Sequence, residues 1–517
     1  MDKRTLLALA LSFLVFFMWS VLFGPKPKDG PVDKKEGIEQ EVERPVLQER
    51  EIPPGPGQDL MVEAASPGKD ITVENELYKA IFSGSGPFIK SFKLKKYRST
   101  LEKDSPLKEL IDVRSNNGYG FNIDFSGQRT PLTHWTAYKA TGEDIMLRSG
   151  DRPAELAYGW KPSEGTEIIA RFLFHADEYK VDLSVFINNN SPYTINDSLS
   201  LNLIRTPEKA RGRYGAFEGM ALLFGNKLKE IKESKLQEQQ FAGHIPWVAY
   251  EEQFFMNAII NKKTQGSSVK SMILPTGEAK ISYIASSLNL AQRQSSTGEF
   301  ILFFGPRDLY VLKSLDQNIE KAVYFGWFDV IAKPLLMALR FFNKYLSNYG
   351  LSIILLTIII KLLFWPLTHK SYKSMREMKK LQPMMTKIRE KYKDNKQEMQ
   401  KQLMGLYKTY KINPMGGCLP MLVQIPVFFA LLRILPNSIE LQHAPFVLWI
   451  NDLSAPDRLF SFPFQIPLMA PPYGIPVLTL LMGVSMFVQQ KMTPVSGDPP
   501  QRVCCLQANK EPNQKGN

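Results

Sequence analysis

Cysteine is nearly missing from this chain of 517 residues: only Cys418, Cys504 and Cys505 occur, and none lies between Gly24 and Gly350. No disulfide framework can support that stretch, so a hydrophobic core has to hold it, which a segment of about 250 residues supplies readily. Histidine is scarce too, with His134, His175, His244, His369 and His443 scattered along the chain. There is no His-Glu-x-x-His, no Cys-x-x-Cys, no phosphate loop and no Gly-x-Ser-x-Gly elbow. Zinc hydrolysis, thiol redox chemistry and nucleotide cleavage therefore have no motif to rest on, and enzyme activity has no positive support. Acidic residues are thin where basic ones are dense: residues 370–411 hold 13 Lys/Arg against 4 Asp/Glu, which is +9 of the chain's net +13. Placed beside hydrophobic runs, that charge reads as the signal that keeps a short loop cytoplasmic rather than as a nucleic-acid surface.

What is present is unevenly spread. Met1-Asp-Lys-Arg4 precedes an apolar stretch from Thr5 to Phe23 that no small-x-small cleavage site closes. An uncleaved anchor, 1–23, with its amino end inside is expected. Residues 24–68 are rich in Pro, Glu, Lys and Gln and read as a disordered tether. Alternation then appears, as in Ile168-Ile-Ala-Arg-Phe-Leu-Phe-His175 and Tyr179-Lys-Val-Asp-Leu-Ser-Val-Phe-Ile187. The period of two predicts an antiparallel β-sandwich over 69–320, built from strands too short to be spans. Over 321–349, Asp329, Lys333, Arg340 and Lys344 recur at helical spacing. That pattern suits a helix lying in the membrane interface and equally one packed on the β-domain. Three hydrophobic spans follow within 350–492, at about 351–367, 415–435 and 473–488. The fold class is an α+β membrane protein. If the basic loop is cytoplasmic, the β-domain and residues 436–472 fall outside and the tail 493–517 inside.

Lys361 sits within the first of these runs, where a charge near the middle of a membrane helix costs about 2.5–3.5 kcal/mol on insertion scales. Its stem could snorkel towards Lys370; alternatively the charge faces a wet cavity. Thr357 stands one turn earlier on the same face, and Gln424 lies between Pro420 and Pro426 in the next span. Gln424 alone could simply bridge two helices, but three polar groups on two spans favour a hydrated cavity. In the basic loop, Met375, Met378, Leu381, Met385, Ile388 and Tyr392 recur at three- and four-residue steps, and a second such run follows Asp394-Asn395. A helical hairpin over 370–412 is expected. Its methionines are candidates to receive client segments or a ribosome, although such a stripe more often packs helix on helix.

Several stretches together resemble the YidC membrane protein insertases of Gram-negative bacteria (the YidC/Oxa/Alb family). They are Tyr324-Phe-Gly-Trp327, Leu381-Gln-Pro383, Asn413-Pro-Met-Gly-Gly-Cys418, Gln424-Ile-Pro426, Ala444-Pro-Phe-Val-Leu-Trp-Ile-Asn-Asp-Leu-Ser454 and Met482-Gly-Val-Ser-Met-Phe-Val-Gln-Gln-Lys-Met492. The resemblance implies an insertase and chaperone of the bacterial inner membrane that admits segments of new membrane proteins through a hydrophilic groove, alone or beside the Sec translocon. It implies Lys361 as the groove cation, often an arginine in the family, with Thr357 and Gln424 facing the groove. It further implies nascent membrane proteins, the lipid bilayer, the ribosome and the signal recognition machinery as partners, and neither a cofactor nor a metal. After Pro499 the family continues into two more hydrophobic spans, whereas residues 500–517 here are polar. A frameshift or premature end is the simplest account of that departure.

Two other readings compete. A small-solute or ion transporter would use Lys361 as its binding charge and predicts inverted repeats, which the sequence does not show. A carbohydrate-active enzyme on the β-domain would need an acid and a base in one cleft, which lone His175 or His244 does not establish.

Overall fold

The computed structural model describes residues 69–102, 104–112, 119–125, 144–206, 217–263, 266–410, 412, 419–462, 464, 469 and 473–492. The expected anchor (1–23), tether (24–68) and polar tail (493–517) lie outside the described residues, as does the start of the second expected span.

Two large sheets face one another over a common core. One runs, edge to edge, through Lys227–Lys232, Gly219–Phe224, Trp247–Glu251, Phe255–Asn261, Gln294–Pro306, Lys180–Asn189, Thr166–Phe174 and Ala154–Ser163. The other runs through Gln239–Gly243, Ser267–Ile273, Ala279–Ile284, Leu199–Arg205, Phe121–Phe125, Ile89–Arg98, Tyr78–Phe82, Ile71–Glu74 and Ile145–Met146, with Leu107–Ile111 also paired to Ile89–Arg98. Alternation does what the sequence pattern demanded: along Thr166–Phe174 and Lys180–Asn189 every second residue is buried, and Ile168 pairs with Ile187 and Phe172 with Leu183 in antiparallel register. Aromatic rings close the space between the sheets, with Phe82 at 5.2 Å from Phe172 and 5.4 Å from Phe174, and Phe92 at 4.9 Å from Phe304. Each such side chain contributes about 1.5–3 kcal/mol by leaving water. One pairing departs from the antiparallel expectation: Val73 and Glu74 pair in parallel with Ile145 and Met146. This edge strand is two residues long and is tied in by Asp144, whose Oδ1 accepts from Thr72 N at 2.9 Å.

The core does not stop at the sheets. Beyond Pro306 a short helix, α1 (Leu309–Lys313), leads to a second, α2 (Asp329–Leu346). Leu309, Leu312, Ile319 and Phe325, then Ala332 and Leu336 of α2, join the sheet residues in one buried cluster. Ala430 and Ile434 of the later helix Leu419–Asn437 belong to it as well. The amphipathic segment packs against the β-domain, as one of its two readings expected. Its Asp329 and Lys333 pair along the helix at 2.9 Å.

The stretch expected as one span, 351–367, is two helices. α3 (Tyr349–Leu363) ends at Phe364, and α4 (Trp365–Lys391) leaves at an angle of 58°. Pro366, in the first turn of α4, has no N–H to return to the carbonyl of Leu362, so the ladder breaks there. After α4 come α5 (Lys396–Thr409), α6 (Leu419–Asn437) and α7 (Val477–Met492). The last starts later than the expected 473, because Gly474 and Ile475 first pair with Leu459–Ser461. Among the described residues no single helix is long and apolar enough to cross a membrane, while the bent pair α3–α4 meets the test jointly.

Candidate functional site

Three helices bring the candidate residues to one place. α3 begins under Asn348, whose side chain accepts from Leu351 N at 3.1 Å and so satisfies one of the free amides of the first turn. Gly350 lets the turn approach the loop beyond α6: a Cβ there would lie 2.1 Å from a ring atom of Phe446. Leu356 of α3, Leu339 of α2 and Leu441 after α6 form a small buried cluster that fixes the three helices together. In this arrangement Lys361, near the end of α3, meets Gln424, near the start of α6, and the ammonium donates to Gln424 Oε1 at 3.2 Å.

That bond joins residues 63 apart in sequence. Gln424 offers a carbonyl to the cation without neutralising it, and an ammonium has three donors, so two stay available. Among the described residues no carboxylate forms an ion pair with Lys361. Thr357 is exposed on the same face one turn earlier, with its hydroxyl donating to Ile353 O at 2.8 Å. The structure thus brings Lys361 and Gln424 into contact and sets Thr357 beside them without a direct bond to either. Lys361 is three residues from the bend rather than in the middle of a continuous helix.

Around the polar pair the helices present apolar surface. Leu351, Ile354, Ile358 and Leu362 of α3, Leu422, Ile425 and Phe428 of α6 and most of α7 are exposed. Continuous apolar surface on this scale marks contact with lipid or with other apolar segments.

The expected hairpin is present, with α4 and α5 joined at Asp394-Asn395 and Asn395 capping α5 by accepting from Glu398 N at 3.1 Å. Its stripe packs helix on helix: Met378 and Leu381 are buried with Ile412, and Met385, Leu406 and Tyr407 lie against them. Of the three methionines singled out as client contacts, Met378 is buried and Met385 is packed in the seam, while Met375 is half-buried.

The opposite end of the helical group holds a second polar cluster, which sequence reasoning missed. Arg340, read in the sequence only as one of four charged residues at helical spacing, has a guanidinium that pairs with Asp308 at 3.0 Å and Glu440 at 3.4 Å and lies over the Tyr310 ring at 4.2 Å. Nearby, Gln253 at the sheet rim donates to Pro436 O at 2.5 Å, a direct tie between the β-domain and α6. Behind it, Glu252 pairs with Arg205 and, at 2.7 Å, with Lys108, while Glu251 lies 3.1 Å from Arg307. Burial raises both carboxyls, but Arg205 and Lys108 outweigh it at Glu252 and hold that group below the usual range. At Glu251 burial dominates over Arg307, and its carboxyl is pushed up to about 7. The only local trace of this in the sequence is a pair of acidic residues closing an apolar strand, a pattern shared by many surface turns.

His175 faces Asp182 at 2.7 Å, but neither the cavity of about 200 Å³ below the sheets nor that of about 430 Å³ at the sheet rim has a histidine in its lining. Among the described residues no group of three His, Cys, Asp or Glu could hold a metal.

Comparison with known proteins gives two family matches that together cover most of the chain. The model described as the YidC periplasmic domain matches residues 70–338, and that described as the 60Kd inner membrane protein matches residues 341–509. The membrane protein insertase YidC of Syntrophobacter fumaroxidans is 38% identical over 518 residues, covering 97% of this chain and 92% of that relative. Its counterpart from Pelobacter propionicus is 37% identical over 515 residues with the same coverage of 97% and 92%. Among solved structures, one described as an active YidC insertase with the first transmembrane domain resolved aligns at a TM-score of 0.27 and 18% identity, over 76% of this chain and 77% of that one.

Proposed function

From the premise that this chain belongs to the YidC family of membrane protein insertases, we propose that Lys361, held by Gln424, is the charge that receives the polar part of a client. The protein is an insertase of the inner membrane with a periplasmic domain. Solute transport finds no support in its relatives. What carries the proposal is the hydrogen bond between α3 and α6, which fixes the ammonium at a defined position with no carboxylate paired to it among the described residues.

The energetics favour acidic tails. An intramembrane carboxylate costs about 2.5–3.5 kcal/mol on insertion scales. A carboxylate 4 Å from an ammonium gains about 4 kcal/mol at an effective dielectric of 20, so one contact with Lys361 offsets a penalty of that size. Thr357 adds a hydroxyl on the same face. The client's apolar span meets the exposed aliphatic surface of α3, α6 and α7 and partitions into lipid. No covalent bond is made or broken, and no cofactor enters the step.

In the topology that goes with this mechanism, the chain is multi-pass, the periplasmic domain and the loop after α6 lie outside, and the basic hairpin α4–α5 lies in the cytoplasm. The hairpin's +9 charge suits the phosphate backbone of a ribosome. Of the three candidate methionines, half-buried Met375 is the one outside the packed seam, where it can meet a client or the signal recognition machinery. The Sec translocon is a further partner in this reading.

The test is complementation of a bacterial strain depleted of its own insertase. The unaltered chain and Lys361→Arg should restore growth, and Lys361→Ala should restore it poorly at equal expression. Full rescue by Lys361→Ala would remove the groove charge from the mechanism.

A further inference from the structure

A cavity of about 200 Å³ lies where the β-domain meets α6, and its lining joins Glu230 and Arg307 of the sheet edge, Tyr324 and Gly326 of the connection to α2, and Arg433 and Asn437 of α6. Neither the active pair nor the hairpin reaches it. Its charges are unequally satisfied. Arg307 is nearly buried, with its Nη groups committed to the carbonyls of Glu252 at 3.1 Å and Ala322 at 2.7 Å and to Glu251. Its Nε has no hydrogen-bond partner among the described residues. Arg433 is exposed and forms no ion pair among the described residues, and the same holds for Glu230. The site therefore offers the guanidinium of Arg433 and, beside the committed Arg307, one carboxylate on which both arginines act.

Its position adds a second argument. Arg433 stands one turn from the end of α6, the exposed ring of Tyr324 lines the cavity, and exposed Trp327 follows the lining residue Gly326 directly. Aromatic side chains of this kind settle at the level of lipid headgroups. A ligand that matches has an anion for the arginines, a hydrogen-bonding cation for the carboxylate, and an apolar body that remains outside.

We propose that this cavity binds the phosphoethanolamine headgroup of a membrane phospholipid, with the phosphate on Arg433, in the field of the buried Arg307, and the ammonium on Glu230. The guanidinium fork suits phosphate oxygens. The ammonium of ethanolamine can donate to a carboxylate, which a quaternary choline cannot. Such a lipid would dock the β-domain against the outer leaflet beside α6. The proposal rests on the reading that α6 crosses the bilayer and ends at its periplasmic face.

The experiment is native mass spectrometry of the full chain in detergent, titrated with short-chain phosphatidylethanolamine, phosphatidylglycerol and phosphatidylcholine. The ethanolamine lipid should bind about tenfold more tightly than the other two, the ratio expected for one charge-assisted contact worth about 1.4 kcal/mol. Arg433→Gln should weaken it about tenfold, Arg433→Lys should weaken it less because the charge stays while the fork is lost, and Glu230→Gln should reduce it to the level of the glycerol lipid. Unchanged binding in both Arg433→Gln and Glu230→Gln, or equal affinity for all three lipids, would overturn the proposal. Displacement by soluble phosphoethanolamine at equal concentration would overturn the lipid as its source. The topology is read separately, by labelling Leu448→Cys on intact cells with an impermeant maleimide, with the three native cysteines replaced by serine. Failure there strikes the reading of α6, and failure of lipid binding alone strikes this site.

Discussion

Replacing Glu251 by glutamine should make the protein more stable at alkaline pH than the unaltered chain. Glu251 closes the strand Trp247–Glu251, is 0% exposed, and neither of its oxygens accepts a hydrogen bond among the described residues. Burial pushes its carboxyl from 4.5 to about 7; Arg307 opposes that rise and Glu230 adds to it. A carboxyl raised on folding gives stability that is complete below its unfolded value, near 4.5, and is lost as pH climbs through about 7. A difference of about 2.5 pKa units at 1.36 kcal/mol each amounts to about 3 kcal/mol across that window. Glu251→Gln keeps the shape and cannot ionise. Thermal unfolding of the full chain in detergent, followed by β-sheet circular dichroism, should show the variant gaining on the unaltered chain from about pH 5 to about pH 8, by up to about 3 kcal/mol. A difference between the two that stays level across this range would refute the reasoning, because other titrating groups are common to both.

Gly350→Val should drive the start of α3 off Phe446, whose ring a Cβ would meet at 2.1 Å, and hydrogen exchange should show loss of protection in α3 and in the loop around Phe446 together. Asp308→Ala removes both the cap of α1, where the carboxylate accepts from Tyr310 N at 2.7 Å, and the 3.0 Å ion pair to Arg340. A loss of about 2 kcal/mol is expected in the same thermal assay, and a neutral result would mean that Glu440 alone satisfies Arg340. Gln253→Ala breaks the bond to Pro436 O, and limited proteolysis should then cut more readily between α6 and the β-domain, with the sheets intact.

The β-domain was legible because its signal is local. Thr166–Phe174 and Lys180–Asn189 each bury one face, and alternation follows from that directly. Leu199–Arg205 is buried on both faces and has no such period, so its place in the middle of a sheet depends on neighbours far away in sequence. The hairpin could be read because Asn395 is a helix cap with apolar stripes on either side. The break at Phe364 was missed, although Pro366 marked it, because the apolar run continues through it. At the candidate site, Lys361 stood out as a charge in apolar surroundings and Gln424 as an amide between prolines, and the structure joins them. The partners of Arg340, Asp308 and Glu440, were not legible because they come from elements that no helical period connects.

The account depends most on the charge of Lys361 acting on the client. Insertion into proteoliposomes should be measured for two clients that share one apolar span and differ only in an acidic or a neutral outer tail, with the unaltered chain and with Lys361→Ala. The account predicts that Lys361→Ala slows the acidic client severalfold and leaves the neutral one nearly unchanged. Equal insertion of both clients by the variant, at rates matching the unaltered chain, would contradict it.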